Sequence, residues 1–151
     1  MMDQIEIKKA QIGDVPAIMD LVKELAIFEK APDEVSSTKD DFILGGFGDK
    51  PIFESNLIYL NGELAGFSLW YFRFSTWKGK RFYLEDLYIK EEFRSKGLGK
   101  MLLDEAIEEA KRTKCTGMMW QVLDWNEPAI QFYNRYGVKM DAGWLNVHLD
   151  L

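Results

Sequence analysis

Ile5 and Ile7, separated by polar residues, alternate at period two and predict a strand over about Gln4 to Ala10. Past Gly13 the period changes. Ile18, Leu21, Val22, Leu25 and Phe28 recur at helical spacing, which predicts a helix capped by Asp14, with Pro16 in its first turn, running to about Lys30 before Pro32 breaks it. Thr38 predicts the cap of a second, shorter helix through Phe42 and Leu44, which Gly45-Gly46-Phe47-Gly48 should stop. Two strands, Phe53 to Leu60 and Glu63 to Phe74, flank Asn61-Gly62, the strongest short hairpin signal in the chain. Lys78-Gly79-Lys80 then turns the chain into a further strand, Arg81 to Ile89.

Leu98, Leu102, Ala106, Ile107 and Ala110 line one face of a helix that ends near Lys111-Arg112. Thr116 to Leu123 reads as a buried strand. Asn126 predicts the cap of a helix carrying Ala129, Ile130, Phe132 and Tyr133, with Gly137 as its stop. Leu145, Val147 and Leu149 alternate within a last strand, Trp144 to Leu149. The predicted order is β-α-α-β-β-β-α-β-α-β, an α+β domain with antiparallel strands first and one β-α-β crossover. A chain of 151 residues with no repeat or linker is expected to form one domain, residues 1–151.

Composition narrows the possible chemistry. No apolar run is long enough to cross a bilayer and the first residues do not form a signal peptide, so a cytoplasmic location is expected, with no membrane partner. A net charge of −6 argues against a nucleic-acid partner and is compatible with a small cationic substrate. One cysteine, Cys115, and one histidine, His148, leave no basis for a disulfide or a metal cluster.

The strongest candidate chemistry lies where the strand ending at Ile89 meets Arg94-Ser95-Lys96-Gly97-Leu98-Gly99-Lys100. Glycines at a helix start let backbone N–H groups converge on one point, and the helix dipole adds a positive end, so the stretch outlines a phosphate cradle reinforced by Arg94 and Lys96. A Walker A loop would need glycine at Arg94 and Ser or Thr at Met101; a dinucleotide fingerprint would need glycine at Leu102. Both are excluded.

Arg-x-x-Gly-x-Gly after a strand containing Leu84-Glu85-Asp86 resembles the acetyl-coenzyme A loop of the GNAT superfamily of N-acetyltransferases. Within it the chain resembles the diamine acetyltransferase group, which includes spermidine/spermine N1-acetyltransferase and its thialysine-preferring relative. That likeness rests on Lys23-Glu24-Leu25-Ala26 with Phe28-Glu29, Gly46-Phe47-Gly48, Tyr83-Leu84-Glu85-Asp86, and Trp125-Asn126-Glu127-Pro128 with Phe132-Tyr133.

The resemblance implies the GNAT fold, a mixed, mostly antiparallel sheet flanked by helices, with two strands splayed and a bulge beside the splay. It implies acetyl-CoA as co-substrate, no metal, a small-molecule amine acceptor and a homodimer. Glu85 matches the residue that takes the amine's proton, directly or through water, and Tyr133 the phenol beside the departing sulfur. Asp86, on an unbulged strand, would point to the face opposite Glu85 and is expected to serve structure or substrate charge. An oxyanion donor is implied among the backbone N–H groups of Leu87, Tyr88 and Ile89. Coenzyme contacts are implied for Arg94, Ser95, Lys96, Gly97, Leu98, Gly99, Lys100, Asn126, Glu127, Pro128, Ala129 and Tyr133. The amine site is implied to border Phe28, Glu29, Ser75, Thr76, Trp77, Glu85, Asp86, Met119, Trp120 and Gln121.

Two departures bear on the substrate. Polyamine-preferring members carry Asp at the position of Ser75, and the acid expected before Gly143-Trp144 is displaced to Asp141. Both favour a lysine-like amine over spermidine or spermine. A polyamine acetyltransferase is the alternative; a non-catalytic acyl-CoA-binding module is the alternative of another class, and protein lysines remain open as acceptors.

Overall fold

The computed structural model describes residues 2–151. They divide into two compact units, one extending to Gln121 and one from Val122 to Leu151. The first holds β1 (Ile5–Lys9), α1 (Val15–Phe28), α2 (Lys39–Phe47), β2 (Glu54–Leu60), β3 (Glu63–Ser75), β4 (Gly79–Ile89), α3 (Leu98–Arg112) and β5 (Gly117–Met119). The second holds α4 (Glu127–Asn134).

The five strands form one sheet in the order β1-β2-β3-β4-β5. The first four pair antiparallel, and β5 returns parallel to β4 through α3. Asn61 and Gly62 turn β2 into β3 with φ of 52° and 82°, the left-handed pair that a two-residue hairpin requires. Neighbouring β2 residues serve opposite faces of the sheet. Leu57, with Phe67, Leu69 and Tyr88, packs with Ile18 and Leu21 of α1. Ile58, with Leu60 and Ala65, packs with Leu98 and Leu102 of α3. One apolar cluster therefore seats α1 and the other fixes the start of α3.

Two local expectations hold with a difference in detail, and two are corrected. Asp14 occupies the N-cap position of α1 as expected, but its carboxylate accepts from the Gln11 backbone N–H at 2.8 Å, closing a 3-10 turn ahead of the helix instead of bonding into its first turn. Gly45-Gly46-Phe47-Gly48 does stop α2, at Phe47 with Gly48 as the C-cap residue, but Gly45 and Gly46 themselves still belong to the helix. A Cβ on Gly46 would lie 2.5 Å from the Phe53 ring, so these glycines let the helix lie against that aromatic. The strand expected over Thr116 to Leu123 is only Gly117–Met119. The strand expected over Trp144 to Leu149 does not form: among the described residues no strand follows β5, and Trp144, Leu145, Val147 and Leu149 are each at least 80% exposed. Alternation identified their extended character, but a strand also needs a hydrogen-bonding neighbour.

Candidate active site

β4 carries the site because of two irregularities. Leu69 pairs with Asp86 while Trp70 pairs with Leu84, so Glu85 is the extra residue of a β-bulge. A bulge resets the alternation of side chains, and the expectation that Asp86 faces away from Glu85 is corrected for that reason. Glu85 accepts a hydrogen bond from the Tyr71 hydroxyl at 3.0 Å, and Asp86 faces residues of α1 across a hollow of about 200 Å³. The second irregularity lies on the other edge. Pairing between β4 and β5 covers only Arg81 to Tyr83, so β4 from Leu84 to Ile89 has no strand on that side. That stretch includes Leu87, Tyr88 and Ile89, and an unpaired strand edge exposes backbone N–H groups for a ligand.

The hollow beside Asp86 is bordered by Val22 and Leu25 of α1, by Glu29, which ends that helix, and by Glu34 and Val35 of the following turn. Burial raises the Asp86 carboxyl to about 7, reinforced by the charges of Glu85 and then Glu29. Burial and then Glu85 also raise the Glu29 carboxyl. Tyr71 and Tyr83 stack with ring centroids 5.1 Å apart, and both phenols are pushed up by burial and then by Glu85. Carboxylates forced together in a partly closed space favour a cation there, because a bound ammonium relieves their mutual repulsion. Glu34 was absent from the residues singled out by sequence. Its position two residues after Pro32, on a 3-10 turn, is the only signal that could have marked it, and that spacing is commonplace.

The glycine loop has the geometry of an anion cradle. Ser95 and Gly97 adopt φ of 61° and 80°, and Gly97 caps α3 without a side-chain partner. The first helical bond runs from Met101 N–H to Gly97 carbonyl, which leaves the N–H groups of Leu98, Gly99 and Lys100 outside the helix ladder. A Cβ on Gly97 would meet nothing within 4 Å, and one on Gly99 only Ile89 Cγ1 at 3.8 Å. The approach is open. These residues fit a pyrophosphate on their backbone donors. Lys100 pairs with Asp104 at 2.6 Å, and Lys96 is exposed.

Ser75, Thr76 and Trp77 form the tip between β3 and β4. Ser75 Oγ accepts from the N–H groups of Trp77 and Lys78 at 3.2 and 3.1 Å, so this hydroxyl closes the turn, and the Trp77 ring is 85% exposed. Met119 ends β5, with its sulfur 3.0 Å from Arg73 Nη1; Trp120 and Gln121 follow it at the end of the first unit. Asn126, Glu127, Pro128, Ala129 and Tyr133 belong to the second unit. There Asn126 Oδ1 caps α4 through Ala129 N–H at 3.4 Å, and Tyr133 is buried with its ring 5.3 Å from that of Phe132. Among the described residues no group of three or more His, Cys, Asp or Glu could hold a metal ion.

Residues 17–138 match the family model described as Acetyltransferase (GNAT) family. The chain is 34% identical over 143 residues to thialysine N-epsilon-acetyltransferase of Bos taurus, covering 89% of this chain and 84% of that protein. It is 35% identical over 153 residues to spermidine/spermine N(1)-acetyltransferase-like protein 1 of Homo sapiens, covering 95% of this chain and 22% of that protein. Among solved structures, an aminoglycoside N-acetyltransferase in complex with CoA superposes with a TM-score of 0.79 at 15% identity, covering 100% of this chain and 98% of the other. The bulged strand, the open helix start beside it and these likenesses agree: this chain belongs to the GNAT family of acetyltransferases.

Proposed function

We propose that the protein transfers the acetyl group of acetyl-CoA to a primary amine of a small cationic substrate, a lysine-like amine such as thialysine or a diamine. The observation that carries this reading is the convergence of Glu29, Glu85 and Asp86, mutually coupled through their charges, beside the unpaired stretch of β4. Acetyl-CoA supplies an activated thioester; the first turn of α3 and the loop from Arg94 would hold its pyrophosphate. Glu85 takes the proton that the acceptor ammonium must lose before it attacks, directly or through water. Backbone N–H groups between Leu87 and Ile89 receive the oxyanion, and the Tyr133 hydroxyl assists departure of the sulfur. The reaction is assigned to the cytoplasm.

Free-thiol release from acetyl-CoA with thialysine, lysine, ornithine, spermidine and a lysine-containing peptide tests the substrate class. Turnover of thialysine with higher kcat/KM than spermidine is expected, because Ser75 offers no carboxylate to a second, distant ammonium. Preference for spermidine would move the protein to the polyamine alternative. Coenzyme binding with no thiol release from any acceptor would leave only the binding-module alternative.

For Tyr133 the variant is Phe, which keeps the buried ring and removes only the hydroxyl. A fall in kcat of about 10²-fold with little change in coenzyme affinity is expected, a loss in the range of general acid catalysis. A kcat within roughly threefold of wild type, judged against that range, would assign the ring to packing.

The protein is further assigned a homodimer. The exposed apolar side chains of Trp144, Leu145, Val147 and Leu149 support this reading, since a second copy of the chain would give them apolar cover. Sedimentation equilibrium reporting a monomer across micromolar concentrations would remove the dimer.

A further inference from the structure

Arg94 stands at the head of the glycine loop, where a positive charge would be expected to face a phosphate. Its side chain is engaged elsewhere. The guanidinium lies 5.0 Å from the Phe28 ring centroid and 5.5 Å from that of Tyr88, and its Nε donates to the Ile89 carbonyl at 3.0 Å. Two aromatic faces and one carbonyl together fix the plane of the guanidinium, which a single exposed contact would not do.

The two rings belong to different elements. Phe28 is the last residue of α1, immediately before Glu29, whereas Tyr88 lies on β4 two residues after Asp86. Tyr88 is itself tied to α1, since its hydroxyl donates to Glu24 Oε1 at 3.2 Å and Lys90 pairs with Glu24 at 2.9 Å. Those bonds hold the middle of the last helical turns to β4. Arg94 adds the tie at the very end, where the helix stops and Phe28 is 40% exposed. Without it that ring would be held on fewer sides, and the backbone that carries Glu29 would be freer to fray.

We propose that Arg94 is a positioning residue for the amine site: it clamps Phe28, and through it Glu29, against β4. The inference rests on the reading that the amine is received beside Glu29, Glu85 and Asp86. It makes the coenzyme loop and the acceptor site mechanically continuous, because the residue after Arg94 is Ser95, which opens the left-handed loop.

Arg94→Lys separates the two roles, since it keeps the charge and removes the flat guanidinium. With thialysine and spermidine as acceptors, amine KM is expected to rise about tenfold, the order of two cation–π contacts, while acetyl-CoA Kd stays within roughly threefold. Phe28→Leu alone should raise amine KM as well. The double variant should be no worse than Phe28→Leu, because a clamp has nothing to hold once the ring is gone. An unchanged amine KM in Arg94→Lys, a weakened acetyl-CoA Kd with normal amine KM, or additive losses in the double variant would each overturn the inference. Glu29→Gln distinguishes its failure from that of the underlying reading. If Glu29→Gln raises amine KM and Arg94→Lys does not, only the clamp is lost. If neither does, the amine is not received at the end of α1 and both fall together.

Discussion

Gly99→Val is expected to weaken acetyl-CoA binding by about a hundredfold or more while the protein still folds. Folding and coenzyme binding make different demands on this position. A side chain at Gly99 meets only Ile89 Cγ1 at 3.8 Å, an ordinary van der Waals distance, so the core does not forbid it. Gly99 is also within the first turn of α3 with an ordinary helical conformation, so valine adds no helix-propensity penalty over glycine, which is the poorer helix former. What valine does add is bulk at the helix start whose N–H groups, those of Leu98, Gly99 and Lys100, no helical carbonyl satisfies, where the proposed pyrophosphate must approach closely. If a pyrophosphate sits there, it loses several charge-assisted hydrogen bonds at once, each worth about 1.5 to 3 kcal/mol. Titration calorimetry with acetyl-CoA and a thermal melt together test it. Unchanged affinity in a folded variant would remove the cradle from the mechanism.

The legibility of this chain differed by the kind of signal. α1 and α3 were read within two residues because burial imposes a 3.6-residue period, and both helices place Ile18, Leu21, Leu98 and Leu102 at no more than 1% exposure. The β2-β3 turn followed from Asn61-Gly62, whose left-handed angles few other pairs supply. Tertiary relations were less accessible. The Glu85 bulge is a count of residues on β4 against residues on β3, and nothing in either strand alone places it; the resemblance implies a bulge but not its residue, so the face of Asp86 follows from the sequence only for an unbulged strand. The shortness of β5 reflects the divergence of two strands, which hydrophobic periodicity does not encode. Arg94 shows a different limit. Sequence placed a cation at a phosphate loop, but whether that cation faces the loop or the aromatics of α1 and β4 depends on Phe28 and Tyr88, distant by 66 and 6 residues in the chain. Glu34 was invisible because one more surface acid carries no pattern.

Asp86 is where the electrostatics make the boldest demand, and its replacement by asparagine should separate stability from activity. Its carboxyl is raised from 3.8 to about 7, first by burial and then by Glu85 and Glu29. The folded protein therefore holds this proton over a pH range in which the unfolded chain has released it. Stability contributed through Asp86 must fall as pH rises from about 4 to about 7 and then level off, since the native state binds the extra proton throughout that window. Asp86→Asn removes the penalty: the variant should melt higher than wild type at pH 8, by an amount bounded by roughly 3 pK units or about 4 kcal/mol, and should match it near pH 4. Activity should move the other way. An ammonium in the hollow supplies the countercharge that permits Asp86 to ionise, so amine binding releases a proton below pH 7 and kcat/KM rises through that value. With asparagine the break near pH 7 should vanish, leaving only the slope from the amine's own ionisation, and kcat/KM for the amine should fall by about 10²-fold, the scale of losing one partner of a buried ion pair. Acetyl-CoA affinity, governed by the start of α3, should not change. A variant that is both less stable at pH 8 and normal in its pH profile would show that Asp86 is ionised in the resting protein and takes no part in receiving the amine.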